Sequence, residues 1–546
     1  MIKSHCLKYL GYWTLFPLLL FFSCIPCASA AGSPAEKYGG EYRIPLASEP
    51  SSLDPAFITD IYSVNVAMNL FDGLVEFDRD LNIVPAIARV WKISRDHRTY
   101  TFFLRRGVKF HNGREVTAKD FVFSFSRILS PETKSPVASL FLGIQGAKEF
   151  RQGRSQSISG LRAPDAYTLK IQLKEPFAPF LSILAMANAK VVARETIKPG
   201  FGHHPVGTGP FVFQEWQPGK EIILSANENY YAGRPYLDTL HFRIYPNIEW
   251  EKIFDDFQEG FLDQSIIPSS KYDLITSDNS YRQRYNLVSK PTLNLVYLGM
   301  NVTTPPFRDY RVRQAISYAV NVEAIVRNIT KRGSIPAKGI LPPGIAGFDP
   351  HFKGYNYDPE KAKALLREAG FPGGRGIPPI EVWTVSKADS VQRELQAYQR
   401  YLAEVGIRLV PRVAKNWSEF IKLINEKKAP MYYAAWYADY PDPDNFLYVL
   451  CHSKSKTNRM GYHNTNVDKL LEQARRETDY MKRIELYRQV QRIVMAEAPI
   501  ITQHVNSFNY LFQPWVKGVE VSYLGAAYIP FRAVWIEKNR GEKSRK

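Results

Sequence analysis

The stretch Tyr432-Tyr433-Ala434-Ala435-Trp436-Tyr437-Ala438-Asp439-Tyr440-Pro441-Asp442-Pro443-Asp444-Asn445-Phe446-Leu447 changes character at one residue. Before Asp439 it is a strand-like run of aromatic and small side chains. After it, Pro441 and Pro443 force a turn. A carboxylate at the end of a strand, beside Trp436, Tyr437 and Tyr440, suits a cleft that receives a cation. Ring side chains exclude water, and the lower dielectric strengthens the pull on an ammonium. The competing reading makes Asp439, Asp442 and Asp444 turn and helix-capping residues. That reading is preferred for Asp442 and Asp444; for Asp439 both stand on spacing alone.

The surrounding sequence alternates helices and strands. Upstream, Leu395, Leu402 and Val405 fall at helical spacing before Gly406, and Ile407-Arg408-Leu409-Val410 then reads as a strand. Asp358-Pro359 marks an N-cap and first helical position, with Ala362, Leu365, Leu366 and Ala369 as the apolar stripe and Gly370 as the stop. Val312, Ala315, Ile316, Ala319 and Val320 line a helix after Asp309, and Asp479 opens another that ends near Pro499. In the first half, Tyr42–Leu46, Tyr100–Leu104 and Leu169–Leu173 alternate apolar and polar residues as half-buried strands. Asn112-Gly113 is a tight-turn signal. Thr117 to Asp120 is a capping box opening a helix that buries Phe121, Phe125 and Ile128. The fold class is α/β, with a partly parallel sheet covered by helices. Ligands then belong at the carboxyl ends of strands or between domains.

The 546 residues correspond to about three domains, or two large ones. With 45% apolar and 23% charged residues the chain is globular, not disordered or collagenous. Lys3 and Lys8, the apolar run Leu10–Phe22 and Ala28-Ser29-Ala30 form an export leader, read as residues 1–30 with cleavage after Ala30. An uncleaved anchor and a lipid attachment at Cys24 are the alternatives. Three of four cysteines lie in this leader, so the exported body keeps only Cys451, read as a buried small hydrophobe. The net charge of +18 comes without zinc-finger spacing or a long Lys/Arg block. That points to a mildly basic solvated surface and not to nucleic acid.

The usual catalytic signatures are missing: no Gly-x-x-x-x-Gly-Lys-Ser/Thr, His-Glu-x-x-His or Gly-x-Ser-x-Gly, and no Cys-x-x-Cys in the exported body. Gly207-Thr208-Gly209-Pro210 resembles a phosphate loop, but Pro210 removes an N–H that a phosphate would need, so it reads as a turn. His203-His204 reads as water-facing. Cys451, His452 and His463 match no familiar zinc spacing. No catalytic residue, metal or cofactor is expected.

The segment around Asp439 resembles the signature of the oligopeptide/dipeptide-binding proteins, the family 5 extracytoplasmic receptors of peptide ABC importers. Further blocks continue the resemblance in order: Glu49-Pro50-Ser51-Ser52-Leu53-Asp54-Pro55; Phe71-Asp72-Gly73-Leu74; Tyr100 to Asp120; Val206 to Phe211 with Glu215-Trp216; Val312 to Ala319; and Tyr357 to Ala362. The resemblance implies a periplasmic-binding-protein type II-like clamshell: two lobes joined by a hinge, plus an inserted domain. Lobe I would take 36–77, 205–294 and 506–540, the inserted domain 78–204, and lobe III 295–505, with hinge crossings near 295 and 505. It also implies that Asp439 pairs with the amine of a short peptide. Main-chain groups near Ala435 and Tyr437 and around Thr59 to Ile61 would hold its backbone, with Trp436, Tyr433 and Tyr440 beside it. Tyr433 stands where some members carry a basic residue for the ligand carboxylate, and the disulfide common among relatives is absent. The implied protein is a periplasmic monomer that serves a membrane permease and is not an enzyme. Nickel chelates, haem, glutathione or murein peptides are alternative cargoes within the fold. A secreted peptide hydrolase, and a chaperone or sensor module working without a permease, are the readings from other classes.

Overall fold

The computed structural model describes residues 37–247, 249–525 and 528–538. The leader, its cleavage site and Cys24 lie outside the described residues. Tyr42, Ile44 and Leu46 point into a core on every second residue of the strand Glu41–Leu46. This strand pairs in parallel with Thr239–Ile244, and Glu221–Ala226 and Phe211–Gln217 complete a four-stranded sheet. A second four-stranded sheet is antiparallel, in the order Ala88–Ile93, Thr99–Leu104, Thr168–Gln172, Leu161–Asp165. The helix Ala118–Leu129 covers it, opened by the Thr117/Asp120 capping box and burying Phe121, Phe125 and Ile128.

The third sheet has six strands in the order Ile335–Pro336, Ile500–Val505, Asn294–Met300, Met431–Tyr437, Ile380–Thr384, Leu409–Val413. Asn294–Met300 is buried at every position, as its unbroken Leu-Val-Tyr-Leu run requires of a strand covered on both faces. Parallel pairing is confined to three strand pairs among the described residues. Two of these join Ile380–Thr384 to Leu409–Val413 and to Met431–Tyr437.

A three-stranded sheet of Gln264–Ile266, Ser507–Phe512 and Asn286–Pro291 adjoins the six-stranded one, and the chain crosses between them twice. The crossings are Thr292–Leu293 and Asn506, and they are laced together. The Thr292 N–H donates to the Asn506 carbonyl (2.8 Å), and the Asn506 N–H donates to Asn294 Oδ1 (2.9 Å). No helix among the described residues is long and apolar enough to cross a membrane.

Two local expectations change on contact with the fold. The hairpin Val75–Phe77 with Ile83–Pro85 straddles residues 77 and 78, so a boundary there falls inside a paired unit. Gly207-Thr208-Gly209 is more than a turn. A Cβ on Gly207 would lie 1.8 Å from the Leu70 carbonyl oxygen and one on Gly209 2.5 Å from that of Asn69, so close backbone approach selects glycine at both.

Candidate functional site

The strand Met431–Tyr437 runs from the core to the edge of its sheet. Met431, Tyr432 and Tyr433 are buried, whereas Ala435 and Tyr437 are exposed and Trp436 is half-buried. Its register with Asn294–Met300 sets Tyr437 opposite Asn294, so the strand ends at the two crossings. The Ala438 N–H donates to the Leu293 carbonyl (2.9 Å), and Asn506 Nδ2 donates to the Tyr437 hydroxyl (3.2 Å). On the other side, pairing with Ile380–Thr384 stops at Trp383 opposite Tyr432. From residues 433 to 437 that side of the strand carries no partner strand among the described residues. It leaves alternate backbone N–H and C=O groups for another chain to pair with.

Asp439 lies two residues beyond this open edge and is exposed. Its backbone N–H donates to Asn445 Oδ1 (3.0 Å), and its Oδ2 accepts from Asn445 Nδ2 (3.3 Å). Asn445 also accepts from the Trp436 indole N–H (3.2 Å), so one buried amide in the first turn of the helix Asp444–Cys451 fixes both strand end and carboxylate. No ion pair reaches Asp439 among the described residues. The protein walls around it raise its carboxyl above the ordinary carboxylate range, against the opposing bond from Asn445. The neighbouring acids are different. Asp442 is paired with Arg483 (2.5 Å), both buried, and buried Asp444 with half-buried Arg475 (2.9 Å).

Two of the ring residues expected at the ligand are buried in this arrangement. Tyr433 is buried, and its hydroxyl donates to Glu394 Oε2 (2.8 Å). Tyr440 is 7% exposed, donates to Asp444 Oδ2 (3.0 Å) and wedges into the apolar core around residues 100–193. That core also takes in Ala56 and Phe57, just before exposed Thr59 and Ile61 at the start of the helix Ile61–Leu70. Trp436, Tyr437, Ala435 and Asp439 therefore share the sheet edge, and Tyr440 reaches from that edge to the core that holds the Thr59 segment.

Sequence reasoning missed Asn445, whose role depends on folding back six residues. It also missed Lys387. Because Ile380–Thr384 runs parallel to Met431–Tyr437, both strands release their following loops at the same edge, and the first loop carries exposed Lys387. Cys451 is buried, its thiol pushed up to about 12 by loss of solvent. His203 stacks on Trp216 (4.5 Å). Among the described residues no group of three or more His, Cys, Asp or Glu is placed to hold a metal.

Two sheet-based lobes joined by paired crossings, an additional domain, and an unpaired carboxylate at the crossing edge define a solute-binding clamshell. The model of the bacterial extracellular solute-binding proteins, family 5 (middle region), matches residues 82–458, and the chain belongs to that family. It is 31% identical to the dipeptide-binding protein of Escherichia coli K12 over 506 residues, covering 87% of this chain and 91% of that one. It is 33% identical to heme-binding protein A of Haemophilus influenzae over 505 residues, covering 88% and 89%. Among solved structures, the unliganded open form of the periplasmic murein tripeptide binding protein MppA superposes with TM-score 0.81 at 27% identity, covering 91% and 97%. The Helicobacter pylori protein DppA in complex with the peptide STSA superposes with TM-score 0.71 at 29% identity, covering 92% and 99%.

Proposed function

We propose that this protein captures short peptides between two lobes and delivers them to an ABC-type permease for import. The observation that carries the reading is the open strand edge at residues 433–437 ending in the unpaired Asp439 carboxylate. An extended peptide can add to that edge through its main chain, which carries no side-chain information, while Asp439 takes its ammonium. Exposed Lys387, on the neighbouring loop, offers a cation to a carboxylate. Haem offers no backbone to pair with such an edge, which favours the peptide cargo over that of the Haemophilus relative.

The sheets support the division into lobe I (36–77, 205–294, 506–540), an inserted domain (78–204) and lobe III (295–505), with the first boundary moved beyond the hairpin that ends at Pro85. Lobes I and III turn about Thr292–Leu293 and Asn506, and a ligand that touches both favours the closed form by its differential contacts. The higher superposition on the open form of MppA supports reading the present arrangement as open, which accounts for the exposure of Asp439 and Tyr437. The leader directs export, and cleavage after Ala30 releases a monomeric periplasmic receptor.

Mass spectrometry of ligand released from purified protein tests the assignment. Intact peptides of a few residues are expected. Haem, glutathione or a metal chelate in their place would overturn the peptide cargo, and peptide fragments accumulating on incubation with a peptide library would point to a hydrolase.

A further inference from the structure

Behind Tyr433 lies a polar nest that Asp439 and the open edge do not use. Glu394 is 2% exposed and accepts from Thr330 Oγ1 (2.7 Å), the Tyr433 hydroxyl (2.8 Å) and Gln503 Nε2 (2.7 Å). No salt bridge reaches it among the described residues. Around it, the Tyr398 hydroxyl, Gln503 Oε1 and His504 Nδ1 are buried without a hydrogen-bond partner, on residues that are 0, 0 and 3% exposed. Unpartnered polar atoms gathered about one carboxylate without a cation are expensive in a protein interior, and a guest that brings hydrogen-bond donors would satisfy them.

The nest belongs to the cleft by position. Tyr433, Ala435 and Tyr437 alternate onto one face of their strand, and on that face Ala435 registers with Val296, and Val296 with His504. His504 Nε2 meets Asn506 Oδ1 (2.9 Å), and Asn506 meets the hydroxyl of Tyr437, which is 56% exposed. A polar track, Tyr437–Asn506–His504, thus runs from the exposed end of the strand inward, and exposed Ala435 lies on the same strand face between Tyr433 and Tyr437. The helix Asp389–Ala403 starts at the same sheet edge, and Glu394 lies about 7.5 Å along its axis.

We infer that this nest receives a cationic side chain of the cargo, a Lys or Arg two or three positions from the amino end of the bound peptide. The inference rests on the peptide reading above. With the ligand amine at Asp439 and its chain running along the edge toward residue 433, the second or third side chain that faces the sheet reaches over Ala435. A long aliphatic stem passes the methyl group and carries its charge to Glu394. The ammonium or guanidinium supplies donors to Glu394 and to the unpartnered Gln503 Oε1 and His504 Nδ1.

Calorimetry of the leader-free chain with Ala-X-Ala and Ala-Ala-X, where X is Lys, norleucine or Glu, tests this. One of the two series should favour Lys over norleucine by about tenfold or more, with Glu weaker still. Glu394→Gln should bring the Lys/norleucine ratio close to one while leaving norleucine peptide affinity in place. Tyr433→Phe, which keeps the carboxylate and removes a competing donor, should preserve or raise the Lys preference even if the Gln variant fails to fold. Equal binding of Lys and norleucine peptides by the unmodified chain, or a Lys preference that survives Glu394→Gln, would overturn the inference and leave the peptide reading standing. Failure of every peptide to bind would overturn both.

Discussion

Asp439, Asp442 and Asp444 stand within six residues of one another in the same turn, yet among the described residues the first has no cation beside it while the other two do. The partners of the other two, Arg483 and Arg475, are 41 and 31 residues away in sequence, and nothing local announces them. That is why spacing alone could not separate Asp439 from its two neighbours. Partial loss of water beside the surrounding protein raises the Asp439 carboxyl above its ordinary value, although the residue as a whole is exposed. Thus the folded protein holds that proton more tightly than the unfolded chain does. Above the unfolded value the charged group therefore works against folding, and a bound ammonium offsets it. Affinity for a free-amine peptide should fall as pH drops through the raised carboxyl pKa. It should fall again above about 8 as the peptide amine loses its proton. Titration calorimetry from pH 4 to 9 should trace that bell; a flat acid limb would remove Asp439 from the binding step. Asp439→Asn should raise the melting temperature of the unliganded protein slightly at neutral pH, where the unmodified carboxylate is charged.

The turn that follows the strand Met431–Tyr437 is fixed by the elements behind it. Arg483 in the helix Tyr480–Glu497 pairs with Asp442, and Arg475 near the end of Thr465–Arg476 packs between the rings of Tyr448 and Phe177. Asp442→Ala leaves a buried guanidinium without its carboxylate and should destabilise the protein by about 3–5 kcal/mol in urea unfolding. A loss under 1 kcal/mol would show that the turn does not depend on the pair. Elements with local signals were legible: the caps at Thr117, Asp309, Asp358 and Asp479 all open helices where the sequence places them. Long-range packing was not. Gly207 and Gly209 read as a turn because Leu70, which they press against, lies far upstream. The burial of Tyr433 and Tyr440 was not legible either, because an aromatic run looks alike whether it faces a ligand or a core. Their burial is decided by Glu394 and by the inserted sheet.

On the scale of the whole molecule, the sheet edge, the paired crossings and the carboxylate are one construction. The alternation of helix and strand announced the α/β class. The way Asn286–Pro291 and Ser507–Phe512 share a sheet across more than 200 residues could not be read from periodicity, since strand pairing at that separation leaves no local trace. The crossings lie beside the end of Met431–Tyr437, so on the proposed reading a peptide amine held there would be gripped where closure begins. The most direct test is calorimetry of a short free-amine peptide and its N-acetyl form against the unmodified chain and Asp439→Ala. Either change alone should weaken binding by about 2–5 kcal/mol, and both together should add little more, because each removes the same contact. An Asp439→Ala protein that binds the free-amine peptide as tightly as the unmodified chain would contradict the account.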